Sequence, residues 1–187
     1  MRNTSAALAL SLALAPAFAA DSFRFDPNHT RPMFEVGHMG FSTQHGRFGK
    51  AEGTAVIDTA ARRGSIDFTV DARSIDMGTE EWNKHMRSEE FFDVERFPVM
   101  SFKSDRLLFV GDRVVGAEGR FTLHGVTRPL RIEVEHFRCG QNPMTKAQTC
   151  GADIAAQIKR SDFGMTKFIP LVADEVKIFV PVEAIQG

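Results

Sequence analysis

Alternation of apolar and polar residues, repeated along most of the chain, is the feature that most constrains its fold. In residues 65–71 (SIDFTVD) and 130–135 (LRIEVE), every second side chain is apolar. A period of two places these side chains on one face of a β-strand, whereas an amphipathic helix needs a period of 3.6. About eight such runs follow one another, separated by turn signals such as His124-Gly125, which is typical of a two-residue hairpin. The chain is therefore predicted to be all-β and antiparallel.

One segment, near residues 79–93, departs from this alternation and is predicted to be helical. Thr79 can cap a helix N-terminus, and Glu80 and Glu81 follow in the first turn, where the helix dipole favours negative charge. Trp82 and Met86 are four residues apart and would share one helical face. We therefore expect a single short helical excursion between strands.

Antiparallel strands that each have one apolar face predict either a β-sandwich or a closed barrel. Closure into a barrel would remove the exposed edge strands. The interior of an eight-stranded barrel is wide enough for packed side chains or for one small ligand. The alternation is compatible with both a filled core and a cavity, and these two outcomes imply different functions.

The start of the chain has the pattern of a secretory signal peptide. A positively charged start precedes an apolar run over residues 6–15, and Ala17-Phe18-Ala19 has small residues at the positions required for cleavage. Cleavage after Ala19 would leave 187 − 19 = 168 residues. The apolar run is too short to span a bilayer, and no second run of sufficient length follows. We predict a periplasmic protein that does not span a membrane, with residues 1–19 removed and residues 20–187 forming one domain.

Cys139 and Cys150 are the two cysteines, and they flank a polar segment (GQNPMTKAQT) between two strand-like runs. In an oxidising compartment, an even pair placed across one hairpin is most simply a disulfide. The spacing excludes a CxxC motif and gives no support to thioredoxin-type redox chemistry. We therefore predict a structural disulfide between the two residues.

Charge and motif content argue against several functional classes. The formal net charge is −1, which excludes a strongly basic nucleic-acid-binding surface. The 6 histidines form no HxH or HExxH motif, and the sequence contains no GxSxG, P-loop or GxGxxG motif. No metal site, cofactor or catalytic activity is therefore predicted.

The aromatic composition is unusual, with 17 Phe, 1 Trp and no Tyr. An interior built from these residues would contain few aromatic hydroxyl groups that need a hydrogen-bond partner. One interpretation is an ordinary hydrophobic core. The other is a cavity lined by Phe and Met side chains that can repack around a flexible apolar chain.

Three segments, in this order along the chain, resemble the YceI family of exported bacterial lipocalin-like proteins. They are Phe91-Phe92-Asp93 with Phe97-Pro98 shortly after, residues 123–127 (LHGVT) and residues 160–164 (RSDFG). The resemblance covers Asp26 to Ala184. It implies an extended antiparallel eight-stranded lipocalin-like barrel, with the helical excursion near one end and an elongated internal pocket for a polyisoprenoid or similar amphiphile. Residues 20–187 are accordingly identified as a single YceI-like lipid-binding β-barrel domain.

We predict that apolar strand faces form the walls of this pocket and that the helical excursion covers one end. The predicted wall residues are Phe34, Val36, Phe102, Phe121 and Phe179, and the covering residues are Met86, Phe91 and Phe92. Polar side chains are the candidates for contact with a ligand head group, namely His38, His124, Arg160 and Asp162. For Arg160 and Asp162, the alternative is a mutual contact that braces a bend.

The predicted function is non-covalent binding, storage or transport of a long-chain isoprenoid, a quinone or a similar amphiphilic lipid. Two alternatives stay open at this point. A ligand-free interaction module serving a membrane redox protein would be favoured by a filled barrel. An enzyme acting on a lipid-like substrate would need a polar catalytic group inside the pocket. The sequence contains no heptad or seam pattern that would predict an oligomeric state.

Overall fold

In the computed structural model, which describes residues 20–187, the chain forms eleven strand segments, one α-helix and two short 3-10 turns. The strand segments are β1 (Asp21–Phe25), β2 (Met33–His38), β3 (Ser42–Phe48), β4 (Ala51–Asp58), β5 (Arg63–Asp71), β6 (Ile75–Asp76), β7 (Val99–Val110), β8 (Arg113–Leu123), β9 (Val126–Gln141), β10 (Gln148–Lys159) and β11 (Val172–Gln186). The helix is α1 (Glu80–Arg87), and the 3-10 turns cover Ala72–Ser74 and Arg160–Phe163. None of the helices in this described part has the length and apolar character needed to cross a bilayer. The predicted signal peptide, residues 1–19, lies outside the described residues.

The strand segments form one antiparallel sheet that closes into a barrel of eight strands. The first three barrel strands are each divided into two segments. β1 and β2 form one barrel strand, and both pair with β11. On their other side, β1 pairs with β4 and β2 pairs with β3. β4 then pairs with β5, and β3 pairs with β6. β5 then pairs with β7, and β7 to β11 pair in sequence order, so β11 closes the ring. The predicted all-β, antiparallel, eight-stranded barrel is confirmed.

Backbone hydrogen bonds hold the sheet together where these barrel strands are interrupted. Between β1 and β2, the amide of Asp26 donates to the carbonyl of Glu183 on β11 (2.8 Å). Between β3 and β4, the amide of Gly49 donates to the carbonyl of Ser74, in the turn that separates β5 from β6 (3.0 Å). Neighbouring strands therefore stay connected across the interruptions.

Helix α1 lies between β6 and β7 at one end of the barrel, which we call the helix end. It begins after Thr79, whose Oγ1 accepts a hydrogen bond from the Trp82 amide (3.3 Å), as the capping pattern predicts. The rest of the predicted helical excursion, residues 88–93, forms turns and irregular backbone. This segment brings Phe91 and Phe92 over the barrel interior, where both are buried.

The β8–β9 hairpin turns through His124 and Gly125, as the sequence predicts. Their φ angles are 51° and 73°, and a two-residue type I′ turn requires positive φ at both positions. Gly125 is also confined by packing, because a Cβ atom there would lie 2.4 Å from the Phe97 ring. The hairpin sequence is thus explained by backbone geometry.

Cys139 and Cys150 form a disulfide, as predicted. The two residues are directly opposite each other on β9 and β10, with a Cα–Cα distance of 4.0 Å. The bond lies near the β9–β10 loop, at the end of the barrel opposite α1, which we call the disulfide end. It links two strands that are already paired by backbone hydrogen bonds.

Reduction of this disulfide is expected to lower the free energy of unfolding by about 3 kcal/mol, because the covalent link removes loop-closure entropy from the unfolded chain. Urea unfolding with and without reductant measures the difference. Thiol labelling in urea provides the control, since neither Cys139 nor Cys150 should react before reduction. Labelling of the unreduced protein, or equal stabilities of the two forms, would contradict the assigned role.

Candidate ligand-binding site

The barrel encloses an elongated cavity, which we call the tunnel, with a volume of about 240 Å³. All eight barrel strands contribute to its wall, because their inward-facing residues alternate with outward-facing ones. Aromatic side chains from the strands are spread along the tunnel, namely Phe23, Phe25, Phe34, Phe48, Phe68, Phe102, Phe121 and Phe137. The interior of this barrel is therefore not a fully packed core.

The dimensions of the tunnel suit one extended hydrocarbon chain. Cys150 and Arg160, ten residues apart along β10 and its end, both line it. Ten rises of ~3.3 Å along a strand tilted by ~40° correspond to roughly 25 Å along the barrel axis. Spread evenly over this length, the volume corresponds to a mean tunnel radius of about 3 Å, with the radius of a water molecule included. A hydrocarbon chain has a radius of about 2 Å, so one chain fits and two side by side do not.

The wall of the tunnel is almost entirely apolar. Among the lining residues in the described part of the chain, Arg160 is the one charged side chain and Ser101 the one with a hydroxyl group. The sequence contains no Tyr, so no phenol interrupts the aromatic surface. A wall of this kind offers many dispersion contacts to an apolar ligand and few hydrogen bonds.

Seven of the predicted pocket residues line the tunnel. Phe34 and Val36 of β2, Phe102 of β7 and Phe121 of β8 belong to its wall. Met86 of α1 and the following Phe91 and Phe92 line it at the helix end, where the Phe92 ring is 5.4 Å from that of Phe48. Their contact with a ligand stays a prediction.

The predicted position of Phe179 in the tunnel wall is wrong. On β11, Ile178 and Val180 face the tunnel, and Phe179 is on the outer face with 38% of its surface exposed. Successive side chains of a strand point to opposite faces, so these three residues cannot all point inward. The prediction assigned Phe179 to an inward apolar face, but the alternation of β11 places Ile178 and Val180 there instead.

Other lining residues were not identified from the sequence. Phe23 and Phe25 belong to β1, a strand of only five residues that directly follows the predicted signal peptide. Their spacing of two, with Arg24 between them, is the signal that could have revealed the strand. On β8, the register shifts against β7 near Val114, and Val114 lines the tunnel where the regular alternation favours Val115.

Three of the predicted head-group residues do not line the tunnel, and their contact with a ligand head group stays a prediction. His38 is at the end of β2, opposite Ser42 and Val172. Asp162 is exposed, and its backbone carbonyl accepts a hydrogen bond from Arg128 Nε (3.1 Å). The inward faces of the strands are occupied by apolar side chains instead.

The third residue, His124, has a structural environment outside the tunnel. Its ring packs against Phe97, with the centroids 4.6 Å apart, and Nδ1 lies 3.2 Å from the carbonyl oxygen of Phe163. Its position in the type I′ turn directs the side chain toward the connection after β10. His124 therefore joins two segments of the helix end.

Arg160 does line the tunnel, at the helix end just after β10, and only 5% of its surface is exposed. Its guanidinium group donates to three backbone carbonyls, those of Met165 (2.8 Å), Val172 (2.9 Å) and Ala173 (2.9 Å). Burial lowers the pKa of this guanidinium, and the charge of Asp174 opposes that effect. The alternative of a direct contact with Asp162 is not observed, because these carbonyls occupy the guanidinium instead.

A closed antiparallel barrel of eight strands around an apolar tunnel defines a lipocalin-like class of proteins that can enclose a small apolar ligand. Within that class, the chain belongs to the YceI-like family, because the model of the YceI-like domain matches residues 23–184. This span includes residues of all eight barrel strands.

Individual relatives agree with this assignment. The chain is 32% identical over 170 residues to a UPF0312 protein of Vibrio cholerae, covering 88% of this chain and 89% of the relative. It is 30% identical over 159 residues to protein YceI of Salmonella arizonae, covering 84% of this chain and 82% of the relative.

Solved structures show the same fold. BcnA of Burkholderia cenocepacia superposes with a TM-score of 0.71 at 25% identity, covering 85% of this chain and 98% of BcnA. A polyisoprenoid binding domain from Saccharophagus degradans, implicated in plant cell wall breakdown, superposes with a TM-score of 0.67 at 16% identity. That match covers 88% of this chain and 98% of the other, and it concerns the fold alone.

Proposed function

We propose that this protein binds one long-chain isoprenoid, quinone or similar amphiphilic lipid non-covalently, with the lipid tail in the tunnel, and stores or transports it in the periplasm. The observation that carries this proposal is the tunnel itself, apolar along its length and wide enough for one extended chain. Each buried methylene contributes about 0.8 kcal/mol to binding. Twelve methylenes would therefore contribute roughly 10 kcal/mol before the cost of immobilising the ligand is subtracted.

The chemistry of the lining favours binding over catalysis. Nucleophilic catalysis needs a base close to the nucleophile. Ser101 carries the one hydroxyl group among the lining residues of the described chain, and these residues include no histidine or carboxylate that could act as its base. The unfilled interior likewise favours a lipid-binding protein over a ligand-free interaction module. The description of the Saccharophagus degradans domain as polyisoprenoid binding is consistent with this choice of ligand class.

A periplasmic location is part of the proposal. The disulfide between Cys139 and Cys150 supports it, because such bonds persist in oxidising compartments and are rare in the cytosol. The predicted signal peptide over residues 1–19 supports it from the sequence. If the bound lipid is a quinone, a membrane redox protein is the partner that would supply or receive it.

Identification of the co-purified lipid tests the proposed function directly. The protein is purified from a periplasmic extract without detergent, extracted with organic solvent, and its lipids are identified and quantified by mass spectrometry. We expect close to one amphiphile per protein, and uptake of added geranylgeraniol after the native lipid has been removed. Repeated preparations with no stoichiometric lipid, together with no uptake of geranylgeraniol, would refute the proposal.

A further inference from the structure

A group of exposed apolar side chains lies at the helix end of the barrel, and we call it the apolar rim. It consists of Met39 and Phe41 in the β2–β3 turn and of Phe168 and Leu171 in the connection that leads from β10 into β11. Phe41 has 90% of its surface exposed. Single exposed apolar side chains are common on folded proteins, whereas a group of them in one place marks an interaction surface.

Backbone hydrogen bonds join the two parts of the apolar rim. The amide of Met39 donates to the carbonyl of Leu171 (2.6 Å), and directly beside this bond His38 of β2 pairs with Val172 of β11. The amide of Val172 also donates to the carbonyl of Phe168 (2.8 Å), which folds the connection into a tight turn. The two turns are therefore held side by side, and the rim is one surface.

The backbone of the apolar rim is strained at two of its apolar residues. Met39 and Phe168 have φ angles of 51° and 61°, and bulky side chains rarely adopt this left-handed conformation. In the β2–β3 turn, Met39 and Gly40 are the central residues, and positive φ at both positions ordinarily selects Asn-Gly or Asp-Gly. Turn preferences thus do not account for these apolar residues. Departures of this kind are concentrated at functional sites.

The apolar rim is continuous with the tunnel. The ring of Phe168 lies 6.3 Å, between centroids, from the ring of Phe91, which lines the tunnel. Leu171 is followed directly by Val172, which also lines the tunnel. A lipid tail that reaches the rim would therefore pass into the tunnel along apolar surface, without first being exposed to water.

The charge of the two rim segments suits a lipid surface. Residues 37–43 (GHMGFST) and 163–173 (FGMTKFIPLVA) contain no Asp or Glu, and Lys167 is their one Lys or Arg. The ammonium group of Lys167 pairs with Glu90 and lies 5.0 Å from the centre of the Phe168 ring. Bilayer interfaces accept Phe and Leu side chains between the head groups, with Lys at the polar boundary, and their anionic lipids repel carboxylates.

We propose that the apolar rim docks on a lipid bilayer, with Phe41 and Leu171 inserted between the lipid head groups. This inference rests on the proposed function, because docking would give the tail of a membrane lipid a direct route into the tunnel. The helix end is then the end at which the lipid enters and leaves, and the disulfide end stays in water.

Vesicle flotation tests the docking in the unsubstituted protein. The delipidated protein is mixed with vesicles of phosphatidylethanolamine containing a minor fraction of phosphatidylglycerol, and the fraction that floats with the vesicles is measured. We expect binding at low and at high salt, because salt screens charge–charge attraction but does not weaken apolar insertion. Absence of binding, or binding that is lost at high salt, would overturn the inference.

Replacement of one rim residue locates the docking surface. Phe41→Asp should lower the affinity for vesicles at least about tenfold, because the burial of the ring is lost and a carboxylate resists transfer from water. The matched control is Met144→Asp, because Met144 is 89% exposed in the β9–β10 loop at the disulfide end. Met144→Asp should bind vesicles as tightly as the unsubstituted protein. Normal binding in Phe41→Asp, or an equal loss in both variants, would overturn the placement of the docking surface.

Two further measurements separate docking from its alternatives. Phe41→Asp should keep its affinity for geranylgeraniol in solution and its unfolding midpoint in urea, and should take up geranylgeraniol from vesicles more slowly than Met144→Asp. Failure of every form of the protein to bind geranylgeraniol would refute the proposed function, while the flotation result would still decide the docking surface. A dimer that Phe41→Asp dissociates, seen by analytical ultracentrifugation and without vesicle binding, would assign the apolar rim to a second copy and overturn the inference.

Discussion

Replacement of Ala156 by phenylalanine is expected to reduce the affinity for long-chain lipids by more than about 100-fold. Ala156 faces the tunnel in the second half of β10, between Ile154 and Ile158. A phenyl ring there would occupy most of a passage about 3 Å in radius and would exclude the part of the tail that lies beyond it. The loss of only four buried methylenes corresponds to about 3 kcal/mol, or roughly 200-fold in affinity.

The neighbouring residue provides a matched control. Ala155 is on the opposite face of the same strand and is paired with the outward-facing Phe179. Ala155→Phe should therefore bind lipid as tightly as the protein without a substitution. Ala156→Phe should unfold at an equal or higher urea concentration than that protein, because the ring fills empty space. Geranylgeraniol titration and urea unfolding measure both effects. Loss of binding in Ala155→Phe with normal binding in Ala156→Phe would mean that the inward face is assigned wrongly.

Affinity is expected to rise about fourfold for each methylene added to a linear alcohol, and then to level off. The slope follows from about 0.8 kcal/mol per buried methylene. An extended chain advances about 1.25 Å per bond, given carbon–carbon bonds of about 1.52 Å. A tunnel of roughly 25 Å therefore encloses about 20 chain bonds, or about five isoprene units in series.

Titration of the delipidated protein with alcohols of increasing length measures both the slope and the chain length at which it ends. Ala156→Phe supplies the control, because its shortened tunnel should end the rise at a shorter chain. Affinity that does not depend on chain length would place the tail outside the tunnel. A rise that continues well beyond 20 bonds would contradict the single-chain dimensions.

Much of the fold follows from local sequence patterns. Successive side chains of a strand point to opposite faces, so the alternation in residues 65–71 was sufficient to predict β5. Thr79 predicted the start of α1, and His124-Gly125 predicted the turn between β8 and β9. These predictions succeed because capping and turn preferences depend on a few neighbouring residues.

The candidate site was less predictable, because it depends on register shifts between neighbouring strands and on the face toward which each side chain points. A register shift beside Val114 changes which residue of β8 faces inward, and no local sequence pattern predicts this shift. Phe179 has the aromatic character of a wall residue but the outward phase of β11. His38 and Asp162 are polar residues near the helix end that do not line the tunnel.

The sequence by itself determined the elements: strands from alternation, one short helix from its cap, and a disulfide from a cysteine pair across a hairpin. Only the tertiary structure decided that the barrel is hollow and that Arg160 is its one charged lining residue within the described chain. The physical reason is the distance along the chain over which each property is decided. A side chain's face is set by its nearest neighbours, whereas the empty volume is what remains after the inward side chains of all eight strands have been placed together.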